Sequence, residues 1–273
     1  LAEYACRGKL IRGSLVFLGY ELCGKDSSDE SIRDQLLSLG AAMELLQSAL
    51  LIHDDIMDRD LIRRGKPSIH AHYQKILDDA GIADSAHQGE ALAICLGDIA
   101  IFSAWQVISG LGLPAPLVQE LSKAASLELN RVALAQMLDV ANGAAGDSPL
   151  PRFFPENDKN GEEACIKNIY RFKTGRYTFS LPLALGATAA GASKEDITAL
   201  EEAGEELGIV FQVKDDELGI WADEQELGKS IGLDIRENKK TLHRLELFRE
   251  LARPASDEEA CSIRAVFGKQ EAE

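Results

Sequence analysis

Apolar residues recur at three- and four-residue steps along most of this chain. Between 32 and 58, the series Leu36, Leu39, Met43, Leu46 and Leu50 marks one face of a long helix. The stretches 89–110, 116–142, 162–190 and 195–221 carry the same period. Alternation of Val, Ile and Thr around hairpin turns is nearly absent, so no sheet is expected. Breaks fall at Gly24 to Ser28, Gly65-Lys66-Pro67, Leu111 to Pro116, Gly143 to Pro155 and Gly191 to Ser193. The longest irregular piece is 143–161. No repeat, linker or low-complexity tract divides the chain. The pattern predicts an all-α fold: one domain, 1–273, with long helices bundled around a central cavity.

Composition narrows the function. A net charge of −16 argues against a nucleic-acid partner, which calls for a basic face. It still permits an anionic substrate where metals and a local basic cluster invert the field. The cysteines Cys6, Cys23, Cys95, Cys165 and Cys261 are scattered without metal-ligand spacing, which predicts free thiols in a reducing, cytoplasmic setting. No uninterrupted apolar run is long enough for a bilayer, so stable membrane insertion is not expected. The chain begins with Leu1, which leads us to expect shortened ends.

Two acidic clusters carry the candidate chemistry. The first, Asp54-Asp55-Ile56-Met57-Asp58, closes the apolar helix through Leu50-Leu51-Ile52 and precedes Arg63-Arg64-Gly65. Asp54 and Asp58 are one turn apart and share a face, where two carboxylates suit Mg²⁺, a hard cation that completes its shell with substrate phosphates. Arginine forks bind phosphate oxygens in pairs; a plain alternative is that Arg63 and Arg64 neutralise Asp58 and Asp60. The second cluster, Phe211-Gln212-Val213-Lys214-Asp215-Asp216, ends another apolar helix and is followed by Gly228-Lys229, Gly232 and Asn238-Lys239-Lys240. Carboxylates beside basic residues, twice over, point to a diphosphate shared between metals and cations.

These residues resemble the trans-type isoprenyl diphosphate synthases, the polyprenyl synthetase family, from Gly8 to about Thr241. Within that family the chain is most like a short-chain bacterial member of geranylgeranyl or farnesyl type. Asp54 to Asp58 resembles the first aspartate-rich motif, and Gly8-Lys9 with Arg12 the N-terminal basic motif. Leu96-Gly97-Asp98, Gln136-Met137-Leu138-Asp139 and Lys173-Thr174-Gly175 match three further landmarks. Phe211-Gln212 with Asp215-Asp216 is similar to the second aspartate-rich motif, followed by Gly228-Lys229, Gly232, Asp234 and Lys239. The chain departs from the pattern at Leu10, Gly13, Ala135 and Gly219. The last stands where the second motif usually ends in Asp.

The resemblance implies head-to-tail condensation of isopentenyl diphosphate with an allylic diphosphate. It implies Mg²⁺ ions, three per site, on Asp54, Asp58 and Asp215, with Asp55 and Asp216 completing the clusters. Arg63, Lys173, Lys229 and Lys239 would share the allylic diphosphate's charge, and Lys9, Arg12, Gln47 and Arg64 would hold isopentenyl diphosphate. Thr174 and Gln212 would turn oxygen dipoles toward the allylic cation, and the departing diphosphate would take the last proton. It also implies a homodimer, joined around 86–142, where the helices are too apolar for full exposure.

Product length should follow from cavity depth. Ala49 and Leu50, just upstream of Asp54, are not aromatic, which leaves the upper cavity open. Leu46 and Met43 lie one turn deeper, and Phe102 or Trp105 could form the floor, although helical aromatics are more often ordinary core. The expected product is geranylgeranyl diphosphate, with farnesyl or longer products as alternatives. A class I terpene cyclase fits less well, because Lys9, Arg12 and Asp215-Asp216 have no place in one. A non-catalytic partner subunit rests on Gly219 alone. A di-metal oxygenase bundle lacks its Glu-x-x-His pairs.

Overall fold

The computed structural model describes residues 1–145, 161–222, 232–251 and 257–269. A short helix α1 (Ala2–Ala5) precedes α2 (Ile11–Leu22) and the long α3 (Glu30–Met57). Asp29 caps α3 by accepting from the Ser31 amide at 3.0 Å. Then come α4 (Ile69–Asp79), α5 (Ser85–Ser109) and α6 (Ala115–Ala145). Next, α7 (Gly161–Ile169) runs without a break into a π-helical stretch, Tyr170–Ser180, and on into α8 (Leu181–Ala189). Helix α9 (Lys194–Trp221) follows, with Ser193 accepting from the Asp196 amide at its start. Shorter helices at Leu233–Arg236, Leu242–Leu251 and Asp257–Arg264 complete the described chain.

The all-α expectation holds, with one addition. Ile62–Arg63 and Lys66–Pro67 pair as a two-stranded antiparallel hairpin. Its turn residues Arg64 and Gly65 both take left-handed φ values, 55° and 70°, as a tight two-residue hairpin requires. Strands of two residues are too short to show alternation in sequence.

The main core lies where α2, α3, α5, α6 and α8 meet. Leu36, Leu39, Met43 and Leu46 from α3 pack with Val16, Ile108, Leu121, Leu181 and Leu185. Each such side chain, fully buried, contributes about 2 kcal/mol. Glycines allow the closest helix contacts. A Cβ on Gly186 would lie 2.0 Å from the Val16 carbonyl oxygen, and one on Gly208 would lie 2.0 Å from the Gly175 Cα. The second contact clamps α9 to the π-helical stretch, which carries part of the site.

Helices α3 and α5 are long and apolar enough, by length and composition, to cross a membrane. Interspersed polar residues leave neither helix an uninterrupted apolar run, which is why the sequence pattern alone does not mark them. Half of the apolar window in α3 is buried inside the bundle, against 28% of that in α5.

Candidate active site

A cavity of about 1700 Å³ opens between α2, α3, α6, the π-helical stretch and α9. Both acidic clusters face it, because each stands toward the C-terminal end of a helix that borders it: Asp54 on α3 with Asp58 as its C-cap, Asp215 and Asp216 on α9.

The first cluster divides its labour. Asp54 and Asp58 line the cavity, whereas Asp55 is wholly buried behind them. Arg63 donates from Nε to Asp55 at 2.6 Å and from Nη2 to Asp60 at 3.0 Å. Burial pushes the Asp55 carboxyl up to about 7, with Arg63 pulling the other way. Arg63 thus carries the hairpin onto the end of α3, though it also borders the cavity, 3.9 Å from Asp54.

Two half-buried lysines face these carboxylates. Lys173 Nζ donates to Asp139 at 2.5 Å and stands 3.6 Å from Asp54. Lys239 Nζ donates to Asp58 at 2.5 Å. Burial opposes both charges, but the surrounding aspartates outweigh it and raise both ammonium groups above their usual value. Burial likewise raises Asp54, yet Lys173, Lys239 and Arg63 prevail and hold it below the ordinary carboxylate range. Asp58 goes the other way, raised by burial and by Asp54. Gln136 orients Asp54 through a 3.0 Å bond to Oδ1. Asp139 and Gln136 belong to a sequence landmark, but their place beside Lys173 and Asp54 depends on how α6 packs.

Further basic residues line the same cavity. Lys9, Arg12, Gln47 and Arg64 all line it. Gly8 admits Arg64: a Cβ there would lie 2.8 Å from the guanidinium. Arg12 donates to Thr178 at 2.5 Å and stacks 4.7 Å over the Tyr177 ring. Arg12 Nε and the Tyr177 hydroxyl are buried without a hydrogen-bond partner, polar capacity of the kind a ligand satisfies.

Next to Lys173, Thr174 Oγ1 donates to Gln212 Oε1 at 2.6 Å, and Gln212 Nε2 donates to Asp216 at 2.7 Å. The Tyr170 hydroxyl donates to the other Asp216 oxygen and accepts from the Leu242 amide at 3.0 Å. Asp216 is therefore buried and fully engaged, its carboxyl raised by burial to about 7. Asp215 also borders the cavity. Lys229 and Gly228 lie outside the described residues.

The chain-length residues separate. Leu46, Leu50 and Trp105 line the cavity. Met43 and Ala49 are fully buried in packing behind it. Phe102 is 69% exposed on the outer side of α5, which corrects its reading as a floor. Trp105 is three residues farther along the same helix and turns inward.

Among the described residues, no three side chains of His, Cys, Asp or Glu type converge on one point to hold a metal by themselves. The donors available are hard carboxylate oxygens on two facing helices, with Asp54 and Asp58 a turn apart. That set suits Mg²⁺, which takes one or two carboxylates and completes its shell with water and phosphate oxygens.

The profile of the polyprenyl synthetase family matches residues 1–273. A short chain isoprenyl diphosphate synthase of Methanothermobacter thermautotrophicus is 34% identical over 235 residues, 86% of this chain and 61% of that protein. A geranylgeranyl diphosphate synthase of Sulfolobus acidocaldarius is 32% identical over 96% of this chain and 68% of its own length. Among solved structures, geranylgeranyl pyrophosphate synthase of Corynebacterium glutamicum, complexed with isoprenyl diphosphate and magnesium, superposes with a TM-score of 0.83. It is 33% identical, and the match covers 96% of this chain and 70% of that one. The chain thus spans about three fifths of the length of the first of these relatives.

Proposed function

Because the chain belongs to the polyprenyl synthetase family, we propose that it catalyses head-to-tail condensation of isopentenyl diphosphate with an allylic diphosphate. The observation that carries this reading is one cavity lined by both acidic clusters, by Lys173 and Lys239 against Asp54 and Asp58, and by the further cations Lys9, Arg12 and Arg64. A second diphosphate calls for cations beyond those beside the acidic clusters.

In this reading Asp54, Asp58 and Asp215 hold Mg²⁺, three ions per site by the family resemblance. Mg²⁺, when bound, supplies charge neutralisation for a departing diphosphate. Lys173 and Lys239 then turn from their aspartates toward phosphate oxygens and stabilise the negative charge that develops there, while Arg63 stays on Asp55 and Asp60 and adds its charge at the cavity edge. Lys229 is assigned the same task from its sequence position alone. Lys9, Arg12, Gln47 and Arg64 hold isopentenyl diphosphate. Thr174 donates its hydroxyl hydrogen to Gln212, so its oxygen lone pairs remain for the allylic cation. Leu46, Leu50, Ile101 and Trp105 line the cavity and exclude water from that cation.

The proposed product is geranylgeranyl diphosphate. Leu50 leaves the upper cavity open, Trp105 stands farther along the wall, and several relatives bear that name. The proposed unit is one domain. It acts as a homodimer, supported by exposed Leu92, Ile99 and Phe102 on α5 beside Leu134 and Met137 on α6. The proposed setting is cytoplasmic, which five free cysteines support, and the proposal includes neither membrane insertion nor a nucleic-acid partner. The deciding experiment is product analysis with labelled isopentenyl diphosphate and each allylic starter. Turnover of an allylic diphosphate alone to hydrocarbon would sink the proposal in favour of a cyclase.

A further inference from the structure

The π-helical stretch Tyr170–Ser180 has two sides. Lys173, Thr174, Tyr177 and Thr178 line the cavity. Arg176 lies among them in sequence but reaches acids on α6 and α9 instead. Its Nε donates to Glu128 Oε2 at 2.9 Å and its Nη2 to Glu128 Oε1 at 2.7 Å, a two-pronged bond to α6. Its Nη1 donates to Glu205 on α9, and Nη2 stands 3.5 Å from Glu201, one turn earlier on that helix. All three guanidinium nitrogens are engaged, and the Arg176 side chain is 11% exposed.

The acids are held in turn. Glu128 is buried and also accepts from Arg131. Arg171 Nε lies 3.0 Å from the other Glu205 oxygen. A guanidinium is planar, so bonds from one fork to two helices fix its plane and limit rotation of the backbone that carries it. Close packing already sets the distance to α9: a Cβ on Gly204 would lie 2.6 Å from the Ser180 Cα, and Ser180 Oγ donates to the Glu201 carbonyl at 2.6 Å. Toward α6 the stretch is tied by Lys173 to Asp139 and by Arg176 to Glu128. The Lys173 bond opens when that lysine turns to a phosphate. The Arg176 bond is outside the cavity lining and stays closed. Buried ion networks return little net stability, because desolvation offsets attraction; what this one supplies is geometry.

We propose that Arg176 is a positioning residue for the transfer reaction. By forking between Glu128 and Glu205 it holds the rotation of the π-helical stretch, and so keeps Lys173 and Thr174 aimed at the cavity while Lys173 leaves Asp139. The assignment rests on the function proposed above.

The test is a double-mutant cycle on prenyl transfer with isopentenyl diphosphate and an allylic diphosphate, both saturating. Arg176→Lys keeps the charge against Glu128 but cannot fork. It is expected to lower kcat about tenfold, within the range that misplaced catalytic groups produce. In a Lys173→Ala background the same change should lower kcat less than about twofold, because the group that Arg176 positions is already gone. A role in stability alone would give the same fall in both backgrounds. Circular dichroism fixes an assay temperature at which every variant is folded. If Arg176→Lys does not fold, Glu205→Gln, which weakens only the α9 arm of the fork, carries the same cycle. An unchanged kcat in the wild-type background, or an equal fall in both, overturns the proposal. Lys173→Ala keeps it apart from the functional reading. If Lys173→Ala leaves kcat unchanged, the reading of the site fails and this assignment with it. If Lys173→Ala loses turnover and Arg176→Lys does not, only the role of Arg176 falls.

Discussion

Lys239 donates to Asp58 at 2.5 Å, so residues 181 positions apart close one wall of the cavity. Asp54→Ala, Asp58→Ala and Asp215→Ala should each lower kcat about a hundredfold or more, the scale on which lost transition-state charge stabilisation is felt. Chelation should abolish turnover, and added Mg²⁺ should restore it. Steady-state kinetics check this, and unimpaired turnover in all three variants would refute the assignment.

Product length should respond to the cavity wall and ignore its outside. Leu50→Phe should shorten the product toward fifteen carbons, and Trp105→Ala should lengthen it beyond twenty. Phe102→Ala should leave it unchanged, because that ring is 69% exposed. Ala49→Phe should act mainly by overpacking a fully buried position, costing about 1–3 kcal/mol. Chromatography of the dephosphorylated products separates these outcomes. A wild-type product that stops at fifteen carbons under excess isopentenyl diphosphate would show the cavity argument wrong.

Gly208→Ala should be strongly destabilising. Its Cβ would meet the Gly175 Cα at 2.0 Å, and backbone on both sides leaves nothing flexible to yield. A loss of about 3 kcal/mol is expected in denaturant melts, and Lys173 and Thr174 move with the displaced backbone. An unchanged midpoint would contradict the contact.

His70 gives stability a pH slope. It is buried beside Ser68, and burial lowers its imidazole below the usual 6.5, with Glu90 opposing. The unfolded chain therefore takes up the proton first as pH falls. The stabilisation is complete above about 6.5 and is lost as pH drops through the lower folded value. Melting temperatures between pH 5 and 8 should fall less on the acid side for His70→Gln than for wild type. Parallel curves would rule out this origin.

The apolar faces of α5 and α6 predict assembly. Phe102→Glu combined with Leu134→Glu should shift sedimentation from dimer to monomer while leaving helix content unchanged. A wild-type monomer at micromolar concentration would dispose of the dimer.

Much of the scaffold was legible because long helices advertise themselves. The apolar series from Leu36 to Leu50 gave 32–58 for a helix that spans Glu30–Met57. The facing of Asp54 and Asp58 followed from helical spacing alone. Sequence could not separate Phe102 from Trp105, since three residues apart on a helix means nearly the same face. It also could not place Asp139 against Lys173 or Tyr170 against Asp216. Each of those pairs joins different elements, and nothing local encodes them. A phosphate fork at Arg63 is what the motif suggests, whereas its Nε and Nη2 donate to Asp55 and Asp60.

The π-helical stretch Tyr170–Ser180 has a consequence for how this chain can vary. A helix with i→i+5 bonding absorbs surplus residues without opening, and here it turns Tyr170, Lys173, Thr174, Tyr177 and Thr178 all into the cavity. Deleting a single residue within it would leave a continuous helix but rotate one end against the other by about 100°. Either the pair Lys173 and Thr174 or the contact of α8 with Val16 would then be lost. Point substitutions there can be graded and repaired one by one. A change of length cannot, so the count of residues between Ile169 and Leu181 is itself under constraint, whatever the letters.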